Sequence, residues 1–410
     1  MNRLLQGDVG SGKTIIAFMT MLIAIDNGFQ ACIVAPTEIL AMQHYRGMCG
    51  FAEQLGIRIS LLMGSTKLSK RKDILPLLKS GAVQILVGTH AIFENNVVFK
   101  ALGVAIIDEQ HRFGVVQRAK LWAKNKVPPH ILIMSATPIP RTLAMSLYGD
   151  LDISLIDKLP PGRKPIKTIH KYESGRLSLF HFMKKQIALG RQIYVVYPLI
   201  EESRTLDYNN LMEGYESLDR EFPKPEYQIS ILHGKMKSKD KEFEINRFQK
   251  VETHIMVATT VVEVGVNIPN ASVMVIESAE RFGLSQLHQL RGRVGRGSEQ
   301  SYCILMTGFK LSKDAKTKIE TMVHTNDGFE VAEVDLKLRG PGDLMGTQQS
   351  GILNLKMANL SEDQHILKLA RDYAQKILSE DKDLNFPKNL PIKNTYQQIM
   401  KYKGIWQNIS

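Results

Sequence analysis

The sequence predicts an α/β fold in which helices cover parallel sheets, and three features of the chain indicate it. Short apolar runs recur along the chain, each followed by polar or helical sequence. Because these runs are continuous and do not alternate with polar residues, they indicate strands buried on both faces. A glycine-rich turn follows the first run, and a proline-rich stretch at residues 157–167 interrupts the strand pattern before it resumes. We therefore expect two tandem α/β domains with parallel sheets, followed by a C-terminal helical region.

The strand pattern sets the expected domains at residues 1–157, 158–308 and 309–410. The predicted strands of the first domain are 4–5, 31–35, 57–62, 83–87, 104–107 and 131–134. Those of the second domain are 193–197, 229–232, 255–258, 273–276 and 303–306. In the third region, residues 309–323 and 327–338 predict a hairpin of two helices, and a last helix has one apolar face with Ile366, Leu369, Tyr373 and Ile377. Residues 339–351 contain four glycines and a proline, which predicts a loop, and the tail after Asp381 carries no signal.

The composition is that of a soluble protein that attracts polyanions. With 410 residues, 44% of them hydrophobic, the chain can bury more than one core. Its longest apolar stretch, residues 15–25, is shorter than the roughly 18 residues that a membrane span requires, so we expect a buried helix and no membrane segment. The three cysteines are too few and too scattered for a disulfide framework or a zinc site, which favours a reducing cytoplasm. The net charge of +12 favours a nucleic-acid partner, although a basic surface without a partner is the alternative.

The glycine-rich turn at residues 7–14 reads GDVGSGKT and fits the pattern G-x-x-x-x-G-K-[ST]. Such a turn presents backbone N–H groups to an anion, and the following helix adds the positive end of its dipole. We expect Lys13 to contact the β- and γ-phosphates of ATP and the Thr14 hydroxyl to help hold Mg²⁺. The alternative is a turn that merely begins a helix. The expected phosphate-binding residues are Gly7, Gly10, Ser11, Gly12, Lys13 and Thr14.

Two acidic residues follow the predicted strand at residues 104–107. A carboxylate at this place can hold Mg²⁺ through its water shell, and we expect Asp108 to do so. Glu109 is placed to orient or deprotonate the water that attacks the γ-phosphate. A pair of acids at the end of a strand can instead cap the next helix. The position after a P-loop favours the catalytic interpretation.

Small hydroxyl residues follow three predicted strands of the first domain. Thr37, Thr89 and Thr137 each come shortly after an apolar run. Hydroxyl groups at such positions can donate to the phosphates of a bound nucleic-acid strand, although each alone would be an ordinary cap or turn. Their recurrence predicts a track for the phosphate backbone.

An arginine-rich stretch in the second domain is the chemical counterpart of the P-loop. Residues 289–296 read QLRGRVGR. Arginine binds phosphate oxygens with two donors and stabilises charge that develops during phosphoryl transfer. We expect Arg293 and Arg296 to act as arginine fingers with Gln289 beside them, and leave open that Arg291 binds DNA phosphate. Because the P-loop and these arginines are in different predicted domains, hydrolysis is expected only when the cleft between the domains closes.

The order of these motifs resembles that of a superfamily 2 helicase. The segments are GDVGSGKT, APTEILAMQH, VGTHAIF, DEQHRFG and SATPIPRTLA. The later segment RGPGD, followed by GTQQSG, is similar to the translocation motif of the RecG family. The resemblance implies two RecA-like domains that bind ATP and Mg²⁺ and move along duplex DNA at stalled forks and Holliday junctions. It also implies DNA or translocation roles for His111, Thr260, Arg339 and Gln349.

The resemblance further implies the motor portion of a larger protein. The P-loop strand begins within a few residues of Met1, so we expect a C-terminal fragment without the wedge domain and the glutamine motif of the family. A monomer in the bacterial cytoplasm, associated with the nucleoid, is expected. Three alternatives stay open at this point: a translocase like the transcription-repair coupling factor, an RNA helicase, and a catalytically inert DNA-binding fragment.

Overall fold

The computed structural model describes residues 1–109, 124, 127–135, 151–158, 164–198, 204–259, 268–295, 297, 299–343 and 364–407. The chain divides into two compact units. One unit comprises Met1–Pro138 and Asp150–Asp335 and contains two parallel sheets. The other comprises Ile139–Gly149 and Leu336–Ser410.

The first sheet has seven strands in the order β3-β4-β2-β5-β6-β1-β7, and all its pairings are parallel. The strands are β1 (Asn2–Gly7), β2 (Gln30–Val34), β3 (Ile59–Leu62), β4 (Ile85–Gly88), β5 (Leu102–Asp108), β6 (His130–Ser135) and β7 (Asp152–Ile156). Helices α1 (Lys13–Asp26), α2 (Glu38–Gln54) and α3 (Leu68–Ser80) connect the early strands. The strand β1 pairs with both β6 and β7, so the turn that follows it opens beside the carboxyl end of β6.

The second sheet has six parallel strands in the order β10-β11-β9-β12-β13-β8. The strands are β8 (Lys167–Tyr172), β9 (Gln192–Val196), β10 (Ile229–Leu232), β11 (Ile255–Ala258), β12 (Ala271–Ile276) and β13 (Tyr302–Thr307). The accompanying helices are α4 (Arg176–Ala188), α5 (Arg204–Glu221), α6 (Ser238–Gln249) and α7 (Leu284–Arg291). Leu211, Leu218 and Phe222 join the core beside β9.

In each sheet, a central strand begins with a buried glutamine whose side-chain amide donates to two backbone carbonyl oxygens. Gln30 begins β2 and donates from Nε2 to the carbonyl oxygens of Leu78 and Val83 at 2.8 and 2.7 Å. Gln192 begins β9 and donates from Nε2 to the carbonyl oxygens of Phe248 and Thr253 at 2.6 and 2.7 Å. Both amides are buried, so each satisfies carbonyl groups that water cannot reach.

The predicted fold class, two tandem α/β domains with parallel sheets and a C-terminal helical region, is confirmed. The prediction missed β7 and β8, each of which lies at the edge of its sheet. Their residues are partly or fully exposed, so they form no continuous apolar run of the kind that revealed the central strands. The domain boundaries at residues 157 and 308 stay predictions.

The predicted helical hairpin is present, but its second helix is longer than expected. Helix α8 spans Lys313–His324, and Ser312 caps it by accepting from Ala315 N at 3.2 Å. Helix α9 spans Gly328–Asp343 and so includes five residues that we predicted to be a loop. The prediction of a loop was wrong at these five residues, although Gly340, Pro341 and Gly342 together disfavour a helix by about 5 kcal/mol relative to alanine, and no contact of the described residues explains why the helix continues through them.

Two further helices end the described chain. Helix α10 spans Gln364–Glu380, and its side chains Ile366, Leu369 and Tyr373 are exposed. Helix α11 (Leu390–Gln407) was not predicted from the tail. Asp381 organises the turn between them, since its carboxylate accepts from Asn385 N, Phe386 N and Asn389 Nδ2 at 2.7 to 2.9 Å. Among the described residues, no helix is long and apolar enough to cross a bilayer.

Candidate nucleotide site

The turn between β1 and α1 has the geometry of a phosphate cradle. Gly10 and Gly12 have φ of 77° and 96°, a left-handed conformation that L-residues with a side chain rarely adopt. Ser11 N donates to Asp8 O at 3.1 Å and closes the turn. A Cβ atom on Gly7 would lie 2.5 Å from Ser11 Oγ, so the start of the turn has no space for a side chain. The backbone of the turn therefore requires these glycines by itself.

The Lys13 ammonium lies across the turn. Its Nζ donates to the carbonyl oxygens of Gly7 and Asp8, both at 2.8 Å. Ser11 Oγ is buried and has no hydrogen-bond partner within the described part of the chain. Both groups fit a phosphate ligand. An anionic oxygen is a stronger acceptor for the Lys13 ammonium than the two neutral carbonyl oxygens, and it would give the buried Ser11 hydroxyl a hydrogen-bond partner.

Asp108 ends β5, and its Oδ2 lies 2.8 Å from His44 Nε2. His44 is on α2 and is 8% exposed. The imidazole orients the carboxylate at the end of the strand. No pattern in the sequence indicates this pair, since the two residues are 64 positions apart.

Glu109 has an unusual backbone conformation, with φ of 51°. Its N–H donates to the carbonyl oxygen of Met134 on β6 at 3.0 Å. A left-handed residue that is not glycine costs energy, and such residues are common at functional sites.

The end of α7 lies against the P-loop. His288 Nε2 lies 2.6 Å from Asp8 Oδ1, and a Cβ atom on Gly292 would lie 2.8 Å from Val9 Cβ. Gln289 and Arg293, predicted to be catalytic, flank this contact and are both partly exposed. The structure therefore brings the segment with the predicted arginine fingers to the turn with the predicted phosphate-binding residues.

Asp8 is the acidic residue inside the P-loop. Burial raises the pKa of its carboxyl group, but the hydrogen bond from His288, the N–H of Val9 and the charge of Arg291 outweigh burial, and the pKa lies below its ordinary value. The carboxylate is thus held ionised in the P-loop. Sequence reasoning missed both Asp8 and His288, because Asp8 occupies one of the unspecified positions of the motif and a lone histidine has no spacing to reveal it.

Arg291 has a structural role that excludes DNA binding in this conformation. It is 2% exposed, and its NH1 donates to the carbonyl oxygens of Met322 and Thr325 at 2.9 and 2.6 Å. Its NH2 donates to His288 Nδ1 at 2.9 Å. Burial lowers the pKa of the guanidinium. The suggestion that Arg291 binds DNA phosphate was wrong, because the sequence pattern does not reveal that the side chain turns inward to α8.

The residues predicted to contact DNA are only partly within the described chain. Thr37 Oγ1 accepts from Leu40 N at 3.3 Å and caps α2, and Thr89 is buried. Arg339 lies in α9, where its side chain is not described. These roles stay predictions. The remaining predicted residues lie outside the described residues: His111, Thr137, Thr260, Arg296 and Gln349.

A cleft of about 960 Å³ lies beside the P-loop helix. It is lined by Thr14 and Phe18 of α1, by residues of α2 that include His44, and by His233 and Lys241 beyond β10. Burial, together with the charges of Lys235 and Lys241, lowers the pKa of His233. Within the described ranges, no group of three or more His, Cys, Asp or Glu could hold a metal ion.

Three protein families match successive parts of the chain. The DEAD/DEAH box helicase family matches residues 1–146, and the helicase conserved C-terminal domain matches residues 178–298. The family described as ATP-dependent DNA helicase RecG, domain 3, C-terminal, matches residues 325–410. Together with the two parallel sheets and the P-loop, these matches define the class of protein, a superfamily 2 helicase with two RecA-like domains.

Similar proteins narrow the class to one family. The chain is 51% identical over 402 residues to the ATP-dependent DNA helicase RecG of Synechocystis sp., an alignment that covers 98% of this chain and 48% of the relative. The Bacillus subtilis protein of the same name is 48% identical, with 93% of this chain and 55% of the relative covered. A solved structure of RecG bound to a three-way DNA junction is 40% identical with a TM-score of 0.73, covering 90% of this chain and 47% of the other. The chain belongs to the RecG family, and it spans about half the length of the curated relatives it matches.

More distant structures share the fold alone. The Mycobacterium smegmatis helicase Lhr, bound to ssDNA and AMP-PNP, is 20% identical with a TM-score of 0.55, and covers 75% of this chain and 44% of that one. Dbp5 of S. cerevisiae, bound to RNA and ADP BeF3, is 17% identical with a TM-score of 0.58, and covers 82% of this chain and 89% of that one.

Proposed function

We propose that this chain is the ATP-driven motor of a helicase that moves on duplex DNA and remodels branched DNA in recombination and repair. The observation that carries the proposal is the contact between the P-loop and α7, which unites the nucleotide-binding turn of one RecA-like domain with the arginine segment of the other. Membership of the RecG family supports the choice of DNA as the track.

Within the site, Lys13 would bind the β- and γ-phosphates. To do so, its ammonium leaves the carbonyl oxygens of Gly7 and Asp8, which lie at 2.8 Å in this conformation. Glu109 would accept the proton of the attacking water. Arg293 and Arg296 would stabilise the charge on the transferred phosphoryl group, with Gln289 beside them. An arginine finger accelerates phosphoryl transfer by about 10³- to 10⁵-fold, which is about 4 to 7 kcal/mol of barrier.

The residues at the P-loop also fit a magnesium ion that binds together with the nucleotide. Thr14 lies in the first turn of α1, close in the chain to the buried Ser11 hydroxyl, and Asp108 presents a carboxylate oriented by His44. Hydroxyl, carboxylate and phosphate oxygens are the ligands that Mg²⁺ prefers. When bound, the ion would neutralise charge on the β- and γ-phosphates. Thr14 and Asp108 are therefore the residues proposed to hold it.

Branched DNA is the proposed substrate. A similar protein, RecG, has been solved in complex with a three-way DNA junction. The net charge of +12 also suits a partner with a phosphate backbone. We propose that the whole protein acts as a monomer on forks and Holliday junctions in the bacterial cytoplasm at the nucleoid. For this 410-residue chain, we expect binding to the DNA backbone and translocation.

ATP hydrolysis with different nucleic acids tests the function directly. The chain would be assayed at fixed low salt with no nucleic acid, linear duplex DNA, a model fork and structured RNA, because backbone binding depends on salt. We expect stimulation by duplex DNA to exceed stimulation by RNA. A stronger response to RNA would contradict the assignment and favour an RNA helicase.

The two remaining alternatives are an inert DNA-binding fragment and a translocase like the coupling factor, and each predicts a different behaviour. An inert DNA-binding fragment would bind duplex DNA without hydrolysing ATP in any of the four conditions. A translocase like the coupling factor would hydrolyse ATP on linear duplex DNA, but would require RNA polymerase for its characteristic reaction. Displacement of a triplex-forming strand from duplex DNA measures translocation itself.

A further inference from the structure

A continuous line of hydrogen bonds joins the P-loop to the helical hairpin formed by α8 and α9. It starts at the Asp8 carboxylate, passes through the His288 imidazole at 2.6 Å and reaches Arg291 NH2 at 2.9 Å. From Arg291 NH1 it ends on the carbonyl oxygens of Met322 and Thr325 at the carboxyl end of α8. Each link is short enough to be a strong hydrogen bond.

The chemistry of the three side chains sets the direction of these bonds. A guanidinium can only donate, so His288 Nδ1 must accept the bond from Arg291. The imidazole proton is therefore on Nε2, which faces Asp8 Oδ1. His288 and Arg291 are 3% and 2% exposed, so water cannot replace either partner in this conformation. A buried hydrogen-bond network whose members are satisfied rigidifies the groups that it joins.

The same aspartate is bound at its backbone by the lysine that is proposed to bind phosphate. Lys13 Nζ donates to Asp8 O, while His288 contacts the Asp8 side chain. A phosphate group that draws Lys13 away removes one of the two hydrogen bonds to the Asp8 carbonyl oxygen, leaving the one from Ser11 N, and so loosens the P-loop backbone at Asp8. Because His288 lies between Asp8 and Arg291, movement there reaches the end of α8.

The hairpin is tied to the α7 region at two further points. Lys318 of α8 donates from Nζ to the carbonyl oxygens of Glu280 and Phe282 at 3.0 and 2.9 Å. Ser285 of α7 donates to Asp335 Oδ2 of α9 at 2.8 Å. These bonds hold the hairpin against the residues around α7, so a shift of α7 is passed to both helices of the hairpin.

We propose that His288 is a positioning residue that transmits the occupancy of the P-loop to the α8–α9 hairpin through its contact with Asp8. His288 need not touch the nucleotide to act in this way. The inference deepens the proposed function and rests on it, because it assumes that a nucleotide binds at the P-loop. It assigns a role to a residue that belongs to neither the phosphate-binding set nor the arginine fingers.

Amide hydrogen exchange with and without Mg²⁺ and AMP-PNP tests this inference in the full chain. In the wild type, we expect the nucleotide to slow exchange in residues 7–14 and to change it in residues 313–338. In His288→Leu, which keeps the bulk but loses both hydrogen bonds, the P-loop response should remain. The response of the hairpin should fall about fivefold or more, the lower end of ordinary coupling between two sites.

His288→Gln supplies the informative rescue. Its amide can donate to Asp8 and accept from Arg291 at the same time, as the imidazole does. We expect it to restore the hairpin response to within about twofold of the wild type. His254→Ala is the matched control, since that ring accepts from Gln228 N at 3.1 Å in the same domain. The control should leave both responses intact.

The outcomes separate the inference from the function on which it rests. If the wild-type P-loop does not respond to nucleotide, the proposed function fails and this inference fails with it. A wild-type P-loop response without a hairpin response overturns the inference alone. So does an unchanged hairpin response in His288→Leu, or a folded His288→Gln protein without rescue. If His288→Leu does not fold, the comparison of His288→Gln with Asp8→Ala decides, because Asp8→Ala removes the same contact from the P-loop side.

Discussion

Two acidic residues of the candidate site depend on partners far away in the sequence. His44 orients Asp108, and His288 holds Asp8, in both cases through an imidazole Nε2 within 2.8 Å of a carboxylate oxygen. Each histidine is buried, whereas the Asp108 and Asp8 side chains are 13% and 24% exposed. The motif supplies the phosphate-binding backbone, and these outside residues set the direction of the acidic side chains.

The first prediction at this scale concerns the catalytic residues. Lys13→Ala and Glu109→Gln should each lower ATP hydrolysis about 100-fold or more, because each removes a group that acts on the transferred phosphoryl group or the attacking water. DNA affinity should stay within about twofold, since phosphate contacts elsewhere carry the binding. Steady-state hydrolysis and a duplex-binding titration measure the two effects. A parallel loss of both would show that the residues maintain the fold instead.

The second prediction concerns the pH dependence of stability. The pKa of Asp8 is lowered in the folded protein, so its contribution is fully present above the unfolded-state pKa and is lost as the pH falls through the folded pKa. The difference in unfolding free energy between the wild type and Asp8→Asn should therefore be largest near neutral pH. It should shrink as the pH falls below the ordinary carboxyl value of 3.8. Denaturant unfolding at several pH values measures this difference, and a constant difference would contradict it.

At the scale of elements, α7 and the P-loop meet through backbone as well as side chains. Gly292 follows α7 and has φ of −67° and ψ of −6°, which alanine can adopt. Glycine is therefore needed at this position because Val9 packs closely against it, and not because the backbone angles require glycine. The end of α7 can therefore pack this closely on the P-loop because Gly292 has no Cβ atom.

Gly292→Ala should disturb this packing. The new Cβ atom would lie 2.8 Å from Val9 Cβ, too close for contact without a shift of the P-loop. We expect a loss of about 1 to 3 kcal/mol in stability and a lower rate of ATP hydrolysis. Gly50→Ala in α2 is the matched control, because a Cβ atom there has nothing within 4 Å. The control should be neutral or more stable by about 0.5 to 1 kcal/mol.

Gln192→Leu tests the role of the buried glutamine that begins β9. The substitution leaves the carbonyl oxygens of Phe248 and Thr253 buried without the amide that satisfies them. We expect a loss of about 2 to 6 kcal/mol, since each of the two unsatisfied groups costs about 1 to 3 kcal/mol. Chemical denaturation measures it, and Gln192→Glu serves as a second variant that keeps the size but loses the donor. A loss below about 0.5 kcal/mol would contradict this role.

At the scale of the whole molecule, the proposed motor must convert nucleotide occupancy into movement on DNA. Arg339 lies on α9, in the segment that resembles the translocation motif of the family. Arg339→Ala should leave DNA-stimulated ATP hydrolysis within about threefold of the wild type while removing triplex displacement, because chemistry and translocation use different residues. An equal loss of hydrolysis and displacement would contradict this assignment.

The sequence by itself determined the two parallel-sheet domains and the phosphate-binding turn. Central strands are buried on both faces and so appear as continuous apolar runs, and a P-loop is a local turn whose glycines and lysine lie within eight residues. We did not predict the edge strands β7 and β8 or the helix α11, because partly exposed elements show no strong apolar periodicity in the sequence.

Only the tertiary structure decided which residues complete the site. It paired Asp8 with His288, 280 positions away, turned Arg291 inward to the end of α8, and placed Gly292 against Val9. Such contacts depend on how distant segments pack, and no local propensity or spacing encodes them. The motif therefore predicted the turn that we propose to bind phosphate, whereas the fold decided which side chains connect that turn to the rest of the protein.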